Sequence, residues 1–197
     1  MKKIITVLSI AMVAITFQAQ AAVKIKIRSI DVNGSIFTPL YDIDTELDHD
    51  TKTRQRWIRL EIKYSTSGGW IDELSIKQLA IAKGHGEKDP VILSVDVTYL
   101  NIGPGNHTAT VYMHPNCVRR YDVKAKELDS GVFFMIDGAV VAQEETTRKV
   151  TKGWSTNGKY TLHEGHLLSE ADTPFWFVNY DFKEMIQRKP HAVHNKK

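Results

Sequence analysis

The sequence contains a single cysteine, Cys117, among its 197 residues. One cysteine cannot form a disulfide within the chain, so packing must stabilise the fold even in an oxidising compartment. We interpret Cys117 as a small buried hydrophobic residue. The alternative is a reactive thiol that serves as a nucleophile or links two chains.

The sequence also has little excess charge, because 26 basic residues stand against 23 acidic residues. Proteins that bind nucleic acids usually carry a clear excess of basic residues. We therefore predict no nucleic acid partner.

The motifs of common catalytic sites are missing as well. The segment Ser65–Gly69 lacks the Gly-x-Ser-x-Gly spacing of a nucleophile elbow, and no lysine of a phosphate-binding loop follows Gly103–Gly105. His163 and His166 are three residues apart, whereas the two histidines of zinc proteases are four apart and share a helix face. We interpret these segments as turns and loops, and we predict no catalytic, cofactor-binding or metal-binding residues.

One acidic segment, Asp42–Asp50, is the strongest candidate for a metal site. It carries five carboxylates, and hard oxygen ligands suit calcium. The EF-hand pattern fails, because Leu47 stands where glycine is needed and Thr53 where a bidentate glutamate is needed. We predict an exposed loop that is not a structural metal site and binds calcium no more tightly than the millimolar range.

The apolar run at the N-terminus, Ile4–Phe17, is too short to span a bilayer, which takes about 20 residues. It follows Lys2 and Lys3 and precedes Ala19–Ala21, a small-x-small cleavage site. We predict a signal peptide at residues 1–21 and an exported protein with no integral membrane span. The glycosylation triplet at residues 106–108 is then expected to stay unmodified, since the leader is bacterial in style.

Alternation of apolar and polar residues dominates the rest of the chain and predicts β-strands. The clearest example is Ile58–Tyr64, in which every second side chain is apolar. Val91–Tyr99 and Ala109–Met113 follow the same period on either side of a Gly-Pro-Gly turn, which predicts a hairpin. A second hairpin is predicted around Asp137-Gly138, a pair that accepts the positive φ angles of a type I′ turn.

Further strands are predicted from the same pattern, and the first of them changes face near Ser29, which indicates a bulge. The segment 70–82 also fits a helical stripe interrupted by Gln78, but its neighbours favour a strand. One short helix is predicted near the C-terminus, where Asp181 can cap and Glu184 completes a capping pair. The further strands are Val23–Val32, Trp70–Ala82, Val118–Lys124, Thr146–Thr151 and Phe175–Tyr180.

The aromatic residues of the last predicted strand have two interpretations. Alternation would bury Phe175 and Phe177 and turn Trp176 and Tyr180 outward. We favour a core strand, and the alternative is a surface that binds a protein partner or a glycan.

Together these elements predict an all-β protein, an immunoglobulin-like antiparallel β-sandwich with a short C-terminal helix. A lipocalin-type barrel is the alternative, but the long gap between Asn33 and Gln55 does not fit its even strand spacing. The predicted domain covers residues 22–187, and a basic flexible tail follows at residues 188–197.

Three segments carry a family resemblance: Gly69–Leu74, Asp89–Leu93 and Tyr112–Tyr121. Over roughly Val23–Ala142 the chain resembles exported immunoglobulin-like proteins encoded with type IV pilus assembly genes in mucin-dwelling and related bacteria. The resemblance implies a periplasmic or surface, pilus-associated and oligomeric protein. It carries over no catalytic residues.

The sequence therefore predicts an exported, non-enzymatic interaction or scaffold protein. We expect protein partners, type IV pilus components among them, and a homo-oligomer that uses exposed strand edges. The alternative function is a secreted hydrolase that acts on glycan or peptide. A glycosidase would need two carboxylates about 5 to 10 Å apart in a cleft.

Overall fold

The computed structural model describes residues 23–39, 55–83, 89–178 and 184–187. Three predictions lie outside these ranges, namely the signal peptide at residues 1–21, the acidic segment Asp42–Asp50 and the tail at residues 188–197. The described strands are β1 (Lys24–Phe37), β2 (Arg56–Ser67), β3 (Ile71–Ala82), β4 (Val91–Ile102), β5 (Gly105–Met113), β6 (Asp129–Ile136), β7 (Ala139–Glu145), β8 (Thr161–Glu164), β9 (Leu167–Ser169) and β10 (Met185–Ile186).

The strands form two stacked sheets, which confirms the predicted all-β sandwich. Sheet A has the order β1-β2-β5-β9, and sheet B has the order β10-β4-β3-β6-β7, with β8 beside β4. All neighbours are antiparallel except β8, which runs parallel to β4 along Val91–Ser94. Two separate sheets do not form the closed barrel of the alternative fold.

The core lies between the sheets and follows the predicted alternation. Ile58, Leu60 and Ile62 of sheet A are buried against Leu74 and Ile76 of sheet B. Each such side chain contributes about 1.5 to 3 kcal/mol through burial. The period of two therefore decides which face of each strand is apolar.

The hairpin at Asp137-Gly138 is confirmed. Ile136 pairs with Ala139, and Asp137 and Gly138 have φ angles of 51° and 76°, as a type I′ turn requires. The bulge near Ser29 is also confirmed, because the pairing of β1 with β2 shifts between Ile27 and Ser29. Trp70–Ala82 is the predicted strand rather than a helix, and it forms β3 from Ile71 onward.

The predicted hairpin of β4 and β5 is wrong. β4 pairs with β3 in sheet B, whereas β5 pairs with β2 in sheet A, so the chain crosses between the sheets at residues 103–104. Val97 of β4 and Val111 of β5 are both buried in the same core cluster. The two strands are therefore joined by side-chain packing in the core and not by a ladder of backbone hydrogen bonds. Alternation indicates the buried face of a strand but not its partner.

Three other predicted strands are wrong because local hydrogen bonds favour different conformations. Pro115–Arg120 forms the helix α1, which begins at a proline and is capped by His114, whose Nδ1 accepts from the Asn116 amide at 3.1 Å. Residues 146–151 form no strand, because backbone amides there donate to the Asp129 carboxylate. Pro174–Phe177 is a 3-10 turn capped by Thr173.

The predicted C-terminal helix is not found at Met185 and Ile186. These residues form β10, which pairs with Leu100 and Tyr99 of β4. Backbone hydrogen bonds to an available sheet edge stabilise the extended chain there, and Asp181 lies outside the described residues.

Candidate functional site

A cleft runs along a stretch of β5 that no described strand covers on one side. The short strand β9 pairs only with Val111–Met113, so no described strand pairs with Asn106–Thr110 on that side. A cavity of about 440 Å³ lies along this stretch. Residues of β4 and β10 line the opposite wall of the cleft. The turns that follow β9 line one end, which we call the upper end.

The upper end of the cleft is fixed by an aromatic cluster on the outer face of sheet A. The Phe175 ring stacks on Tyr112 with 4.3 Å between centroids and meets the edge of Trp57 at 5.5 Å. This packing holds the chain after β9 in place, and the Tyr112 hydroxyl donates to Glu170 at 3.4 Å. Glu170 therefore lies at the end of the cleft nearest β9.

The other end of the cleft, the lower end, is fixed by a hydrogen-bonded pair of side chains, His107 and Glu184. Nδ1 of His107 lies 2.7 Å from the Glu184 carboxylate, and Nε2 lies 2.9 Å from the Gly103 carbonyl. The Thr66 hydroxyl donates to the same carbonyl at 2.6 Å. The Thr66 hydroxyl also lies 3.0 Å from Nε2, so both ring nitrogens of His107 have hydrogen-bond partners.

Two buried polar groups line the cleft, the Tyr99 hydroxyl and Nε of Arg59. The Tyr99 side chain is 2% exposed, and its hydroxyl interacts with the backbone of Thr110. Burial raises the pKa of Tyr99, the hydrogen bond from the Thr110 backbone opposes that rise, and the Glu170 and Glu184 carboxylates add to it. Nε of Arg59 is also buried without a partner, although the Arg59 guanidinium pairs with Glu61 at 3.3 Å. Because buried polar groups are normally hydrogen-bonded, Nε of Arg59 is a donor that a ligand in the cleft could use.

The cleft brings two carboxylates, Glu170 and Glu184, to the same cavity. A carboxylate pair is the chemical requirement of a glycosidase. Here each carboxylate already has a partner, since Glu184 is held by His107 and Glu170 accepts from Tyr112. The arrangement is suited to binding a ligand with both donors and acceptors.

A protein-family model matches residues 16–190 of the sequence. The chain belongs to that family. The fold is similar to a crystal structure of a protein from Akkermansia muciniphila, with a TM-score of 0.72 and 23% identity over 89% of this chain and 98% of that one. None of the curated proteins matches the sequence. Within the described ranges, no helix has the length and apolar character to cross a membrane.

Cys117 is a free thiol in α1, buried as the sequence predicts. Burial raises the pKa of Cys117 to about 11, against an opposing effect of Arg120. The thiol is therefore protonated at neutral pH, and a protonated thiol is a poor nucleophile.

His163 and His166 lie close together as a pair. The structure places His163 in β8 rather than in a loop, and the two rings lie 6.1 Å apart. Burial lowers the pKa of His166, with smaller contributions from Arg120 and His163. Across the described ranges, no three histidine, cysteine or acidic side chains are grouped closely enough to hold a metal ion.

The aromatic residues near the C-terminus follow the prediction only in part. Phe175 is buried as predicted, but Trp176 is 8% exposed and Phe177 is 70% exposed, the reverse of the expected pattern. The 3-10 turn has three residues per turn, so the period of two does not apply. Tyr180 lies outside the described residues.

A larger concavity of about 980 Å³ lies between β1, β2 and the segment around α1. Its cationic side chains, Arg56, Arg119, Lys124 and Lys126, are all exposed. Among the described residues, no buried polar atom that lacks a partner lines this concavity. The cleft beside β5 is therefore the stronger candidate site.

The residues of this cleft form no pattern in the sequence. His107 stood out only as part of a glycosylation triplet, and Glu184 only as a helix-capping residue. These two lie 77 residues apart in the chain, and only the fold brings them together. The available signal was a histidine in a strand that is otherwise rich in threonine.

Proposed function

We propose that this is an exported, non-enzymatic interaction or scaffold protein of the periplasm or cell surface. Its partners are proteins, and the resemblance described above favours type IV pilus components. The predicted signal peptide at residues 1–21 supports export. The cleft beside β5 is the proposed recognition site.

One observation carries this proposal. Among the described residues, Nε of Arg59 is buried in the wall of the cleft without a hydrogen-bond partner, whereas the Tyr99 hydroxyl meets the Thr110 backbone and both carboxylates are engaged. An unsatisfied buried polar group costs about 1 to 3 kcal/mol, and a bound partner can recover that free energy. The cleft is thus arranged for recognition.

Proximity labelling in the native cell tests the proposal. A labelling enzyme fused to the C-terminus should modify pilus components, and sequencing of the mature N-terminus should begin at Ala22. A variant that lacks residues 1–21 is the control and should label cytoplasmic proteins instead. Labelling of no envelope protein, or a mature chain that keeps Met1, would contradict the proposal.

A secreted hydrolase is the second candidate, because Glu170 and Glu184 line one cavity. Assays with a panel of glycans and peptides should show no turnover by the purified protein. Turnover that the double variant Glu170→Gln, Glu184→Gln abolishes would establish the hydrolase and overturn the scaffold.

The proposal includes a homo-oligomer, in which the edge strand β7 is the candidate contact between copies of the chain. Val140 and Val141 of this edge strand are 54% and 47% exposed. Static light scattering of the mature chain should show a dimer or larger species, and Val140→Lys with Val141→Lys should favour the monomer. A monomer at all concentrations would exclude self-association.

A further inference from the structure

The sequence contains two Asn-Gly pairs, Asn33-Gly34 and Asn157-Gly158. In such a pair the glycine amide nitrogen can attack the asparagine carboxamide, because glycine has no Cβ to hinder the approach. The attack closes a succinimide ring, and it requires the backbone of both residues to rearrange. The fold places the two pairs in different environments, so it decides which of them reacts.

Asn157-Gly158 lies in the loop at residues 146–160, which covers the outer face of sheet B and buries Trp154 there. Asn157 and Gly158 are both exposed, and Gly158 has a φ of 65°. Among the described residues, only its chain neighbours lie within 4 Å of a Cβ placed on Gly158. No described group accepts a hydrogen bond from the Gly158 amide. The attacking nitrogen therefore has open space and no bond to break first.

The Asn157 carboxamide is held in a conformation that favours the reaction. Its Oδ1 accepts a hydrogen bond from the Lys159 amide at 2.9 Å, which folds the side chain back along the residue between them, Gly158. This hydrogen bond draws electrons from Cγ and makes that carbon a better electrophile. The oxygen is not the atom attacked, so its hydrogen bond does not compete with ring closure.

Asn33-Gly34 lies within β1 and is packed on the neighbouring chain. Asn33 pairs with Arg59 of β2, so its backbone is extended in a sheet. A Cβ placed on Gly34 would lie 2.6 Å from Cβ of Ala125, which leaves no room beside Gly34 for a rearranged backbone. Ring closure here needs β1 to separate from β2, and such local opening costs part of the stability of the fold.

We propose that Asn157 is a site of spontaneous deamidation in the native protein, whereas the fold protects Asn33. The Gly158 nitrogen bonds to Cγ of Asn157, the bond from Cγ to Nδ2 breaks, and ammonia leaves with the amide proton. Water then opens the succinimide at either carbonyl and gives aspartate or isoaspartate, so no oxidant or reductant takes part. Each event places a carboxylate where a neutral side chain stood, and the chain acquires negative charge with age at one surface position.

Peptide mapping by mass spectrometry tests the proposal on the mature chain, aged in native buffer and in guanidinium chloride. In native buffer, the peptide that contains Asn157 should gain the mass difference between a hydroxyl and an amino group. The peptide that contains Asn33 should react at least about tenfold more slowly, because its reaction waits for local opening. In guanidinium chloride the two rates should converge, since the fold then holds neither pair.

Asn157→Gln is the matched control, because it keeps the carboxamide but moves it one methylene further from the Gly158 nitrogen. Modification at this position should stop in the variant, while the slow rate at Asn33 should stay the same. The native rate at Asn157 should also rise with pH, since the attacking nitrogen must lose its proton.

Equal native rates at Asn33 and Asn157, or an Asn157 that stays intact in native buffer while it reacts in guanidinium chloride, would overturn the proposal. A preference for Asn157 that persists undiminished in guanidinium chloride would also overturn it, because the surrounding sequence and not the fold would then select the site. None of these results bears on export or on partner binding.

Discussion

The two outer faces of the sandwich are covered in different ways. On sheet B, residues 146–160 form a loop that buries Trp154 completely and satisfies the buried carboxylate of Asp129. At the edge of sheet A, the cleft leaves Nε of Arg59 without a partner among the described residues. Polar groups that are fully satisfied stabilise a fold, and unsatisfied ones in a cavity indicate recognition. The first region is therefore expected to control stability, and the second to control binding.

The loop on sheet B is held at three points. Asp129 accepts hydrogen bonds from the backbone amides of Arg148, Lys149 and Val150 at 2.5, 2.7 and 3.0 Å. The indole of Trp154 donates to the Thr146 carbonyl at 2.9 Å. Glu145 accepts from the Ser155 hydroxyl and from the amides of Gly153 and Ser155.

The largest expected effect is that of Trp154→Ala. Removing a fully buried indole leaves a cavity on sheet B, and the free energy of unfolding should fall by about 3 to 5 kcal/mol. Trp70→Ala is the matched control, because Trp70 is 66% exposed and should lose less than about 1 kcal/mol. Urea denaturation followed by circular dichroism measures both. Similar losses for the two variants would mean that the loop does not stabilise the fold.

Asp129→Ala should have the next largest effect. It leaves three amides without their acceptor in a part-buried site, and the expected loss is about 3 kcal/mol. Asp129→Asn keeps one acceptor and should lose roughly half as much. Labelling of envelope proteins by the folded protein should be unchanged for both variants. A loss of labelling that matches the loss of stability would remove the contrast between the two regions.

Sequence alone predicts the faces of the strands but not the partners of the polar residues. Alternation identified the buried residues of β2 and β3, because the side-chain period of a strand is local. It failed for β4 and β5, whose connection crosses the core, and for Phe175–Phe177, where a proline and Thr173 favour a 3-10 turn. The turn at Asp137 and Gly138 could be predicted, because the positive φ angles of these residues are a local requirement.

The two polar sites show the same limit more clearly. Asp129 finds its donors about 20 residues later in the chain, and His107 finds Glu184 after 77 residues. Neither separation along the chain follows a repeating pattern in the sequence, because long-range pairs depend on the order of the strands in the sheets. The cleft and the hydrogen bonds of Asp129 that hold the loop therefore escape prediction from the sequence for the same physical reason.

His107→Ala is expected to destabilise the protein moderately. It removes the partner of a half-buried carboxylate and the ring that packs on Tyr64 at 5.2 Å, for a loss of about 2 kcal/mol. A double-mutant cycle with Glu184→Gln should give a coupling of about 1 kcal/mol. Labelling of envelope proteins should fall much more than for Asp129→Asn at similar stability. Additive losses in the cycle would show that the pair contributes no mutual stabilisation.

The smallest effect expected is the pH dependence that Glu145 gives to the loop on sheet B. Partial burial raises the pKa of Glu145, but hydrogen bonds from Ser155 and the Gly153 amide, with Lys152 nearby, outweigh it and lower the pKa below the usual 4.5. A carboxyl group with a lowered folded pKa stabilises the protein fully above its unfolded pKa and loses that contribution as pH falls through the folded value.

Glu145→Gln should therefore cost about 1 kcal/mol or less at pH 7, and the difference from wild type should shrink as pH is lowered from 5 to 3. Urea denaturation across that range measures the difference, with Glu144→Gln as the exposed neighbouring control. A difference that is constant with pH would mean that Glu145 acts through its shape and not its charge. The cleft should show no such dependence on Glu145, because its carboxylates lie at the opposite edge of the sandwich from β7.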